Sequence, residues 1–251
     1  MTVNQERYEK HLNLAIIGQE GQEKLYRSRV LLVGAGGLGS PIAMYLAAAG
    51  VGTIGIIDGD KVALSNLQRQ VIHSTSDVNR LKVDSAQDRM RALNPEIGVI
   101  ALPEFLTTDR VTSIFGMGWD LVIDACDNSY TRYLLNDACL AYNKPLVSGA
   151  LHSMGGQVTT FKRGDGPCYR CLYPDNYPGK DRAVSSQKPY GVLSTVPGVI
   201  GTLQATEALK VLLGLGTSLV GTILIFNATT MTFQSMILKR DIKCPSCSVY
   251  Y

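Results

Sequence analysis

A glycine-rich turn between a strand and a helix constrains the fold of this chain more than any other feature. Residues 34–39 read GAGGLG, after the apolar run RVLLV at 29–33 and at the start of a small-residue helix predicted over 38–49. A second apolar run, TIGII, occupies 53–57. A strand, a tight turn, a helix and a strand within about 30 residues form a βαβ unit with a right-handed connection and parallel strands.

The same alternation continues along the chain. It predicts helices over 82–93, 109–115 and 131–142 and strands over 98–102, 120–124 and 145–148. After residue 150 it predicts a strand at 157–161, an aperiodic polar stretch at 173–187, a helix at 199–213 and strands at 222–226 and 232–238. The pattern indicates an α/β fold with a doubly wound, Rossmann-like, mostly parallel sheet and a C-terminal β extension. We treat 1–251 as a single domain, with short helices in 1–28, a core in 29–150 and a third region in 151–251.

Composition excludes several classes of protein. With 251 residues, 45% of them hydrophobic, the chain can bury a full core, so it is neither disordered nor a disulfide-held miniprotein. A net charge of +3 does not indicate the clustered positive charge that a nucleic-acid-binding protein needs to neutralise phosphates. No apolar stretch approaches the roughly 20 residues that a bilayer requires, and the N-terminus has no signal-peptide core. A cytoplasmic protein without nucleic-acid or membrane partners is expected.

Groups that suit phosphate and ribose surround the glycine turn. Backbone N–H groups and the positive end of the following helix face an anion at such a turn, and the glycines concerned are Gly34, Gly36, Gly37 and Gly39. Asp58 ends the next strand, where a carboxylate accepts hydrogen bonds from ribose hydroxyls. The turn and Asp58 leave a dinucleotide and ATP open as ligands, and glycines used only for packing are the alternative to both.

The residues that follow favour ATP. The polar segment SNLQRQ at 65–70 and then Lys82 come to the same predicted sheet edge, and an enzyme that cleaves a triphosphate needs such positive charge. Asp124, Asp127 and Asn128 end the fourth predicted strand at this edge, and Asp127 can hold Mg²⁺. The alternatives are a helix N-cap for Asp127 or Asn128 and surface charge for Lys82.

Four of the six cysteines form two pairs of identical spacing, Cys168 with Cys171 and Cys244 with Cys247. Because cytoplasmic cysteines stay reduced, such pairs are metal ligands more often than disulfides. Four thiolates suffice for a closed tetrahedral structural Zn²⁺; redox-active or merely buried cysteines are the alternatives. Cys126 and Cys139 are expected in the core. The three histidines, His11, His73 and His152, are expected to be solvated or hydrogen-bonded rather than ligands.

Together with Arg132 and the segment GTLQA at 201–205 followed by Glu207, these motifs resemble the adenylyltransferases of the ubiquitin-activating superfamily. The resemblance is to the bacterial MoeB and ThiF enzymes of molybdopterin and thiamine biosynthesis in particular, and it covers nearly the whole chain. It implies that the C-terminal Gly-Gly carboxylate of a small ubiquitin-fold sulfur carrier attacks the α-phosphorus of ATP. Pyrophosphate leaves, and an acyl-adenylate forms.

The resemblance also implies roles for individual residues. The implied catalytic residues are Asn66, Arg69, Lys82, Asp127 and Lys10. The implied nucleotide-binding residues are Gly34, Gly36, Gly37, Gly39, Asp58, Asp60, Asn66, Arg69, Gln70, Lys82, Asp127, Asn128 and Arg132, with Asp127 holding Mg²⁺ and the paired cysteines Zn²⁺. A homodimer, a carrier-binding and zinc region in 151–251, and a separate sulfur donor, either a cysteine desulfurase or a rhodanese, are implied too.

Two departures from the family pattern stand out. Residues 7–11 read RYEKH, so Lys10 occupies the position where relatives often place an arginine that crosses the dimer to the γ-phosphate. Lysine keeps the charge but loses the bidentate fork, and Arg7 is the alternative clamp. From Leu172 to Gly198 the chain has no cysteine for a covalent link to the carrier, and the serines Ser185 and Ser186 cannot replace a thiolate in that role. The adenylate is therefore the expected final product.

Two other functions remain open at this point. An NAD-dependent oxidoreductase would use the glycine turn alone. A non-catalytic scaffold of the same family would bind the carrier without turnover, which the changes at Lys10 and in 172–198 would allow. A tRNA-modifying relative is disfavoured because those enzymes usually lack the cysteine pairs. The sequence does not identify the carrier or its pathway.

Overall fold

An eight-stranded sheet runs through residues 4–174 and 191–250, the part of the chain that this computed structural model describes. Its strands are β1 (Arg29–Val33), β2 (Thr53–Ile57), β3 (Gly98–Leu102), β4 (Leu121–Asp124), β5 (Leu146–His152), β6 (Gly155–Phe161), β7 (Thr222–Asn227) and β8 (Thr232–Ile237). They lie in the order β3-β2-β1-β4-β5-β6-β7-β8. The first five in this order are parallel, and each later strand is antiparallel to its neighbour. The predicted Rossmann-like α/β fold with a C-terminal β extension is confirmed.

Helices cover both faces of the sheet. They are α1 (Glu9–Leu12), α2 (Gly18–Arg27), α3 (Gly39–Ala48), α4 (Lys82–Leu93), α5 (Val111–Phe115), α6 (Ser129–Tyr142), α7 (Tyr169–Leu172) and α8 (Val196–Leu213). Short 3₁₀ turns lie at Leu64–Asn66, Thr75–Asp77 and Ser248–Tyr250. None of the helices in the described ranges is both long and apolar enough to span a membrane.

The central strands are apolar without alternation because both of their faces are covered. Successive side chains of a strand point to opposite faces. In β1, Leu31 and Leu32 are both fully buried yet belong to different hydrophobic clusters. Leu32 packs with Ile42 of α3 and Ile200 of α8, whereas Leu31 packs on the side of Trp119 and α6. The parallel strands therefore sit in the middle of three layers.

Several predicted boundaries move for local reasons. α6 begins at Ser129 rather than 131 because the Asn128 side chain caps it, accepting a hydrogen bond from the Thr131 N–H at 2.9 Å. α8 begins at Val196 because Pro197 is tolerated in a first helical turn. β5 continues to His152, since β6 pairs with it after its register with β4 ends at Ser148.

The division that we drew at residue 150 therefore falls inside β5, and the sheet continues across it. The predicted polar stretch at 173–187 lies almost wholly outside the described residues, which include only Tyr173 and Pro174 of it. Ser185 and Ser186 lie outside them too.

Candidate functional site

A cavity of about 380 Å³ opens where β1, β2 and β4 end. This edge is where ligands bind in doubly wound sheets, and the volume suits a small-molecule ligand. The residues predicted for a nucleotide site that line the cavity are Gly34, Gly36, Gly37, Asp58, Asp60, Arg69, Gln70, Lys82, Asp127, Asn128 and Arg132. Gly39, Asn66 and Lys10 are not among its lining residues. The fold thus brings most of the predicted set together.

The glycine turn forms one wall and leaves no space for side chains at two of its positions. Gly34 has a φ of +107°, and a Cβ there would lie 2.6 Å from the Ala125 carbonyl oxygen. A Cβ on Gly39 would overlap the carbonyl of Gly34. Gly39 therefore acts by packing α3 against the turn, which brings the N-terminal end of α3, the positive end of its dipole, towards the cavity.

Two acidic residues and a buried lysine form the next wall. The Asp58 carboxylate accepts hydrogen bonds at 2.8 Å from the Ala35 and Asp60 N–H groups. Burial raises the pKa of Asp58, and Lys82, 4.0 Å away, opposes that rise. The Lys82 ammonium donates to Asp60 at 2.8 Å, and its side chain is only 8% exposed. Lys82 is thus not a surface charge, which removes the alternative reading.

The SNLQRQ segment begins in the 3₁₀ turn Leu64–Asn66 and continues through a further turn, after which Arg69 and Gln70 line the cavity. The Arg69 guanidinium donates to the Ser65 carbonyl at 3.2 Å. Gln70 is buried, yet its Oε1 has no hydrogen-bond partner in the described part of the chain. The Asn66 Oδ1 accepts from the Ala63 N–H at 3.1 Å, so Asn66 closes the turn.

Asp124 and Asp127 follow the same strand but have opposite environments. Asp124 is 1% exposed and accepts hydrogen bonds from the Ser148 hydroxyl and the Cys126 thiol, both at 2.7 Å. Asp127 is exposed at the cavity and has no hydrogen-bond partner among the described residues. Since Asn128 caps α6, the N-cap alternative applies to Asn128 and leaves the Asp127 carboxylate available for a ligand.

Arg132 lies behind this turn, with its side chain 15% exposed. It donates to the Cys126 carbonyl at 2.8 Å, and its Nε lies 3.9 Å from the Asp124 carboxylate. Burial and the nearby Asp124 charge raise the pKa of the Cys126 thiol well above its usual range, so this thiol is a poor nucleophile. Cys126 and Cys139 are both buried, as predicted.

The N-terminal residues stay outside the cavity of their own chain. The Lys10 side chain is 88% exposed and pairs with Glu9 at 3.1 Å. Arg7 donates to the Leu93 carbonyl at 2.9 Å. Between them, the buried Tyr8 accepts a hydrogen bond from the Asn94 amide at 2.8 Å. This arrangement anchors α1 and leaves the Lys10 ammonium exposed beside Glu9.

His73 belongs to the framework of the site, a role that was not predicted from the sequence. Its Nε2 lies 3.0 Å from the Ala35 carbonyl in the glycine turn, and its Nδ1 lies 2.8 Å from the Ser85 hydroxyl of α4. Burial lowers the pKa of His73, so the neutral ring donates to Ala35 and accepts from Ser85. It thereby joins the turn to the helix that carries Lys82. Its position three residues after Gln70 was the only available signal.

The other two histidines behave as predicted. His11 is partly buried and its Nδ1 lies 2.8 Å from the Gln22 side-chain oxygen. His152 is exposed at the end of β5. Neither belongs to the cysteine cluster, which is the only group of three or more metal-ligand side chains of suitable geometry within residues 4–174 and 191–250.

The four paired cysteines come together away from the cavity. Their sulfur atoms all lie within 4.8 Å of one another, with Sγ separations of 3.9 Å for Cys168–Cys171, 3.6 Å for Cys168–Cys244 and 3.5 Å for Cys171–Cys247. A tetrahedral ion with metal–sulfur bonds of about 2.3 Å sets its ligand atoms about 3.8 Å apart, whereas disulfide sulfurs lie about 2.05 Å apart. The donor set and its spacing fit a tetrahedral metal ion.

The sequence profile of the ThiF family matches residues 8–248. The chain belongs to the ThiF family. The family predicted from the motifs is thus confirmed. Among relatives in the ThiF family, the protein named sulfur carrier protein adenylyltransferase from Thermus thermophilus is 46% identical over 247 residues, covering 96% of this chain and 90% of that protein. The SAMP-activating enzyme E1 of Haloferax volcanii is 45% identical over 243 residues, covering 96% and 88%.

Other ThiF-family relatives are longer proteins. The adenylyltransferase and sulfurtransferase MOCS3 of Culex quinquefasciatus is 46% identical over 243 residues, and the chain spans 55% of its length. Among solved structures, E. coli MccB with MccA-N7isoASN has a TM-score of 0.82 at 22% identity, covering 98% of this chain and 75% of that one. At this identity, the likeness to MccB concerns the fold alone.

Proposed function

We propose that this chain is an ATP-dependent adenylyltransferase that activates the C-terminal Gly-Gly carboxylate of a small ubiquitin-fold sulfur carrier. One observation carries the proposal: Asp58, Arg69, Lys82 and Asp127 meet around a glycine turn. They do so in a ThiF-family chain that covers 90% of a relative named sulfur carrier protein adenylyltransferase. An oxidoreductase would need none of the three charged groups beyond Asp58.

The reaction is a displacement at phosphorus. A carboxylate oxygen of the carrier attacks the α-phosphorus of ATP, and a new oxygen–phosphorus bond forms as the bond to the bridging oxygen of pyrophosphate breaks. No oxidation and no proton transfer is required. Charge accumulates on the phosphate oxygens, so Arg69, Lys82 and Arg132 act by electrostatic stabilisation. Asp58 holds the ribose, and the turn lined by Gly34, Gly36 and Gly37 holds the phosphates, with Gly39 packing α3 against that turn.

The remaining predicted residues have narrower roles in this proposal. Asp60 positions Lys82 through their 2.8 Å contact, and Asn128 fixes the start of α6. Gln70 offers an unpaired oxygen, and Asn66, which does not line the cavity, holds the turn that carries Arg69 and Gln70. Lys10 would act on the triphosphate in a second copy of the chain, which requires a homodimer.

Each metal fits one place. The Asp127 carboxylate, exposed and without a partner in the described part of the chain, suits Mg²⁺, which binds through one or two carboxylates plus phosphates. When bound there, Mg²⁺ would neutralise charge on the phosphates. The cluster of Cys168, Cys171, Cys244 and Cys247 suits Zn²⁺, and four sulfur ligands leave no position open for water, so this ion is structural.

The carrier is expected to dock on the region 151–251. Every residue of β8 is exposed, and Phe233, Met236 and Ile237 are 52%, 55% and 84% exposed. Among residues 4–174 and 191–250, β8 is also the last strand of the sheet, and no described strand pairs with its outer edge. Exposed apolar side chains beside a free edge are typical of a protein-binding surface.

The proposed activity also implies a cellular location, a sulfur donor and candidate pathways. We place the chain in the cytoplasm, where its cysteines stay reduced, and assign sulfur delivery to a separate cysteine desulfurase or rhodanese. Molybdopterin and thiamine biosynthesis are the candidate pathways. Because the two cysteines outside the cluster, Cys126 and Cys139, are buried and burial raises the pKa of both thiols, the acyl-adenylate is the product that the chain releases or hands on.

Exchange of labelled pyrophosphate into ATP tests the function. With a carrier that ends in Gly-Gly, we expect exchange, and mass spectrometry should detect the carrier as its adenylate. A carrier lacking the last glycine is the matched control and should support neither signal. Tight NADH binding without exchange would favour the oxidoreductase. Carrier binding without pyrophosphate release would favour the scaffold.

A further inference from the structure

One helix, α6, connects the cavity to the cysteine cluster. Asn128, Arg132, Asn136 and Leu140 follow one another at intervals of four residues, so they form a row along one face of the helix. Asn128 and Arg132 line the cavity, while Leu140 packs against the cysteines. From Arg132 to Leu140 the helix rises about 12 Å. A short rigid element therefore touches both sites.

Asn136 ties this row to the first cysteine pair. It is 2% exposed, and its Oδ1 accepts a hydrogen bond from the N–H of Tyr169 at 2.8 Å. Tyr169 lies between Cys168 and Cys171 in the chain. Loss of this acceptor would leave a buried N–H unpaired, so the contact fixes the distance between α6 and the first pair.

Asp137, the next residue, joins both cysteine pairs. Its carboxylate accepts two hydrogen bonds from Arg170, at 3.0 Å from Nε and 2.7 Å from Nη2, and one from the Ser246 hydroxyl at 3.2 Å. Arg170 belongs to the first pair's loop and Ser246 to the second. A bidentate pair of this kind adds geometric specificity. Asp137 thus aligns α6 with the whole cluster.

Tyr133, the residue after Arg132, also contacts the segment around the first cysteine pair. The neighbouring Tyr133 donates from its hydroxyl to the Tyr173 carbonyl at 2.8 Å, and its ring meets that of Tyr169 edge-on with centroids 5.1 Å apart. The Arg170 guanidinium lies 4.7 Å from the centre of the Tyr133 ring. Arg132 is therefore flanked by two residues, Tyr133 and Asn136, that are both held by the loop of the first cysteine pair.

We propose that the cysteine cluster and its metal set the position of α6 and, through it, of Arg132 in the cavity. Asn136 and Asp137 are then positioning residues for ATP binding, although neither lines the cavity. The proposal rests on the function proposed above because it takes ATP as the ligand of the cavity. It follows that release of the metal weakens ATP binding, although no cysteine ligand lines the cavity.

Calorimetric titration of ATP into holoprotein, with metal content measured on the same samples, tests this coupling. For Asp137→Asn with its metal retained, we expect the Kd for ATP to rise about 3- to 10-fold, the usual range for coupling between sites. Arg170→Gln breaks the same pair from the other side and should give the same rise. Asp165→Asn is the matched control, because it breaks the exposed Lys162–Asp165 pair, which touches neither site; its Kd should stay within about twofold.

A double-mutant cycle separates coupling from general destabilisation. If Asp137 acts through Arg132, Asp137→Asn has no further effect on the Kd in an Arg132→Ala background. Additive effects would overturn the inference, and so would a wild-type Kd for ATP in both Asp137→Asn and Arg170→Gln. Chelated protein that binds ATP as the holoprotein does would overturn it too. Failure of the wild-type holoprotein to bind ATP at all would instead overturn the proposed function and this inference together.

Discussion

The cavity and the cysteine cluster differ in whether their polar atoms have partners within the protein. In the cavity, the buried Gln70 Oε1 and the Asp127 carboxylate have no partner within the described ranges. In the cluster, each sulfur lies within 4.8 Å of the other three. A site that binds and releases a substrate needs polar groups that are unpaired until the substrate arrives. A site for a structural ion brings all of its ligand atoms around one point. This difference supports the proposed roles of the two regions, which are turnover in the cavity and stability in the cysteine cluster.

The largest expected effect is on the stability that the cluster provides. Cys244→Ser removes one thiolate ligand, so we expect loss of the metal and a fall of more than about 3 kcal/mol in the free energy of unfolding. Denaturant titration and metal analysis measure both. Cys139→Ala is the control, since it removes a buried thiol outside the cluster and should keep the metal. Full metal content in Cys244→Ser would contradict the proposed metal-binding role of the cluster.

The corresponding change in the cavity should affect rate and leave stability alone. Asp127→Asn keeps the size of the side chain but removes the charge that suits Mg²⁺, so we expect adenylation to slow by about 10²-fold or more, roughly 3 kcal/mol in the transition state. The free energy of unfolding should change by less than about 0.5 kcal/mol because Asp127 is exposed. The exposed Asp109→Asn serves as the control. An equal rate in both variants would contradict the assignment.

Asp77 is a buried acidic residue that does not line the cavity, and its contribution is to the stability of the fold. Burial raises the pKa of Asp77, but hydrogen bonds from the Ser74 hydroxyl, the Ser74 N–H and Arg80 outweigh burial and hold the pKa at about 2. A depressed pKa stabilises the fold above the unfolded value of about 4, and this contribution is lost as the pH falls towards 2. We expect the Asp77 charge to contribute about 1–2 kcal/mol to the free energy of unfolding, allowing for solvent screening.

Unfolding measured against pH checks this expectation. The difference in unfolding free energy between wild type and Asp77→Asn should be constant above pH of about 5 and shrink as the pH falls below about 4. A difference that does not change with pH would show that the Asp77 charge has no part in stability.

The smallest expected effect concerns the unpaired oxygen of Gln70. Replacing a buried, unpaired acceptor with an apolar side chain of similar size is neutral or stabilising, so Gln70→Leu should raise the free energy of unfolding by up to about 1 kcal/mol. The same variant should bind ATP more weakly, since the cavity loses a group that waits for a ligand. A thermal melt and an ATP titration on one sample measure both. A destabilised variant with unchanged ATP affinity would show that Gln70 serves the fold.

Much of this arrangement could be predicted from local patterns. The strands at 29–33, 53–57 and 98–102 and the helix at 82–93 agree with the predicted bounds to the residue, because each is a short apolar or amphipathic run with clear ends. The spacing of the cysteine pairs likewise needed no knowledge of the fold. These features depend on neighbours in the sequence, which the sequence displays directly.

What could not be predicted depends on neighbours in space. The sequence places Asp124 and Asp127 at the same strand end and assigns Mg²⁺ to Asp127, but it does not show that Asp124 is buried and accepts hydrogen bonds from Ser148 and Cys126. The link from His73 to the glycine turn joins residues 38 positions apart. The bridge formed by α6 depends on pairings that join residues 33 and 109 positions apart, Asn136–Tyr169 and Ser246–Asp137. No periodic pattern records such contacts.

The chain order of the two cysteine pairs has a consequence for biosynthesis. A ribosome releases the N-terminal part first, so the cavity residues between Gly34 and Arg132 emerge before any cysteine of the cluster. Cys168 and Cys171 follow, but the last two ligands, Cys244 and Cys247, emerge only after β8 has been made. The metal site proposed for the cluster can therefore be completed only once all eight strands have been synthesised. A nascent chain interrupted before residue 244 lacks two of the four proposed ligands.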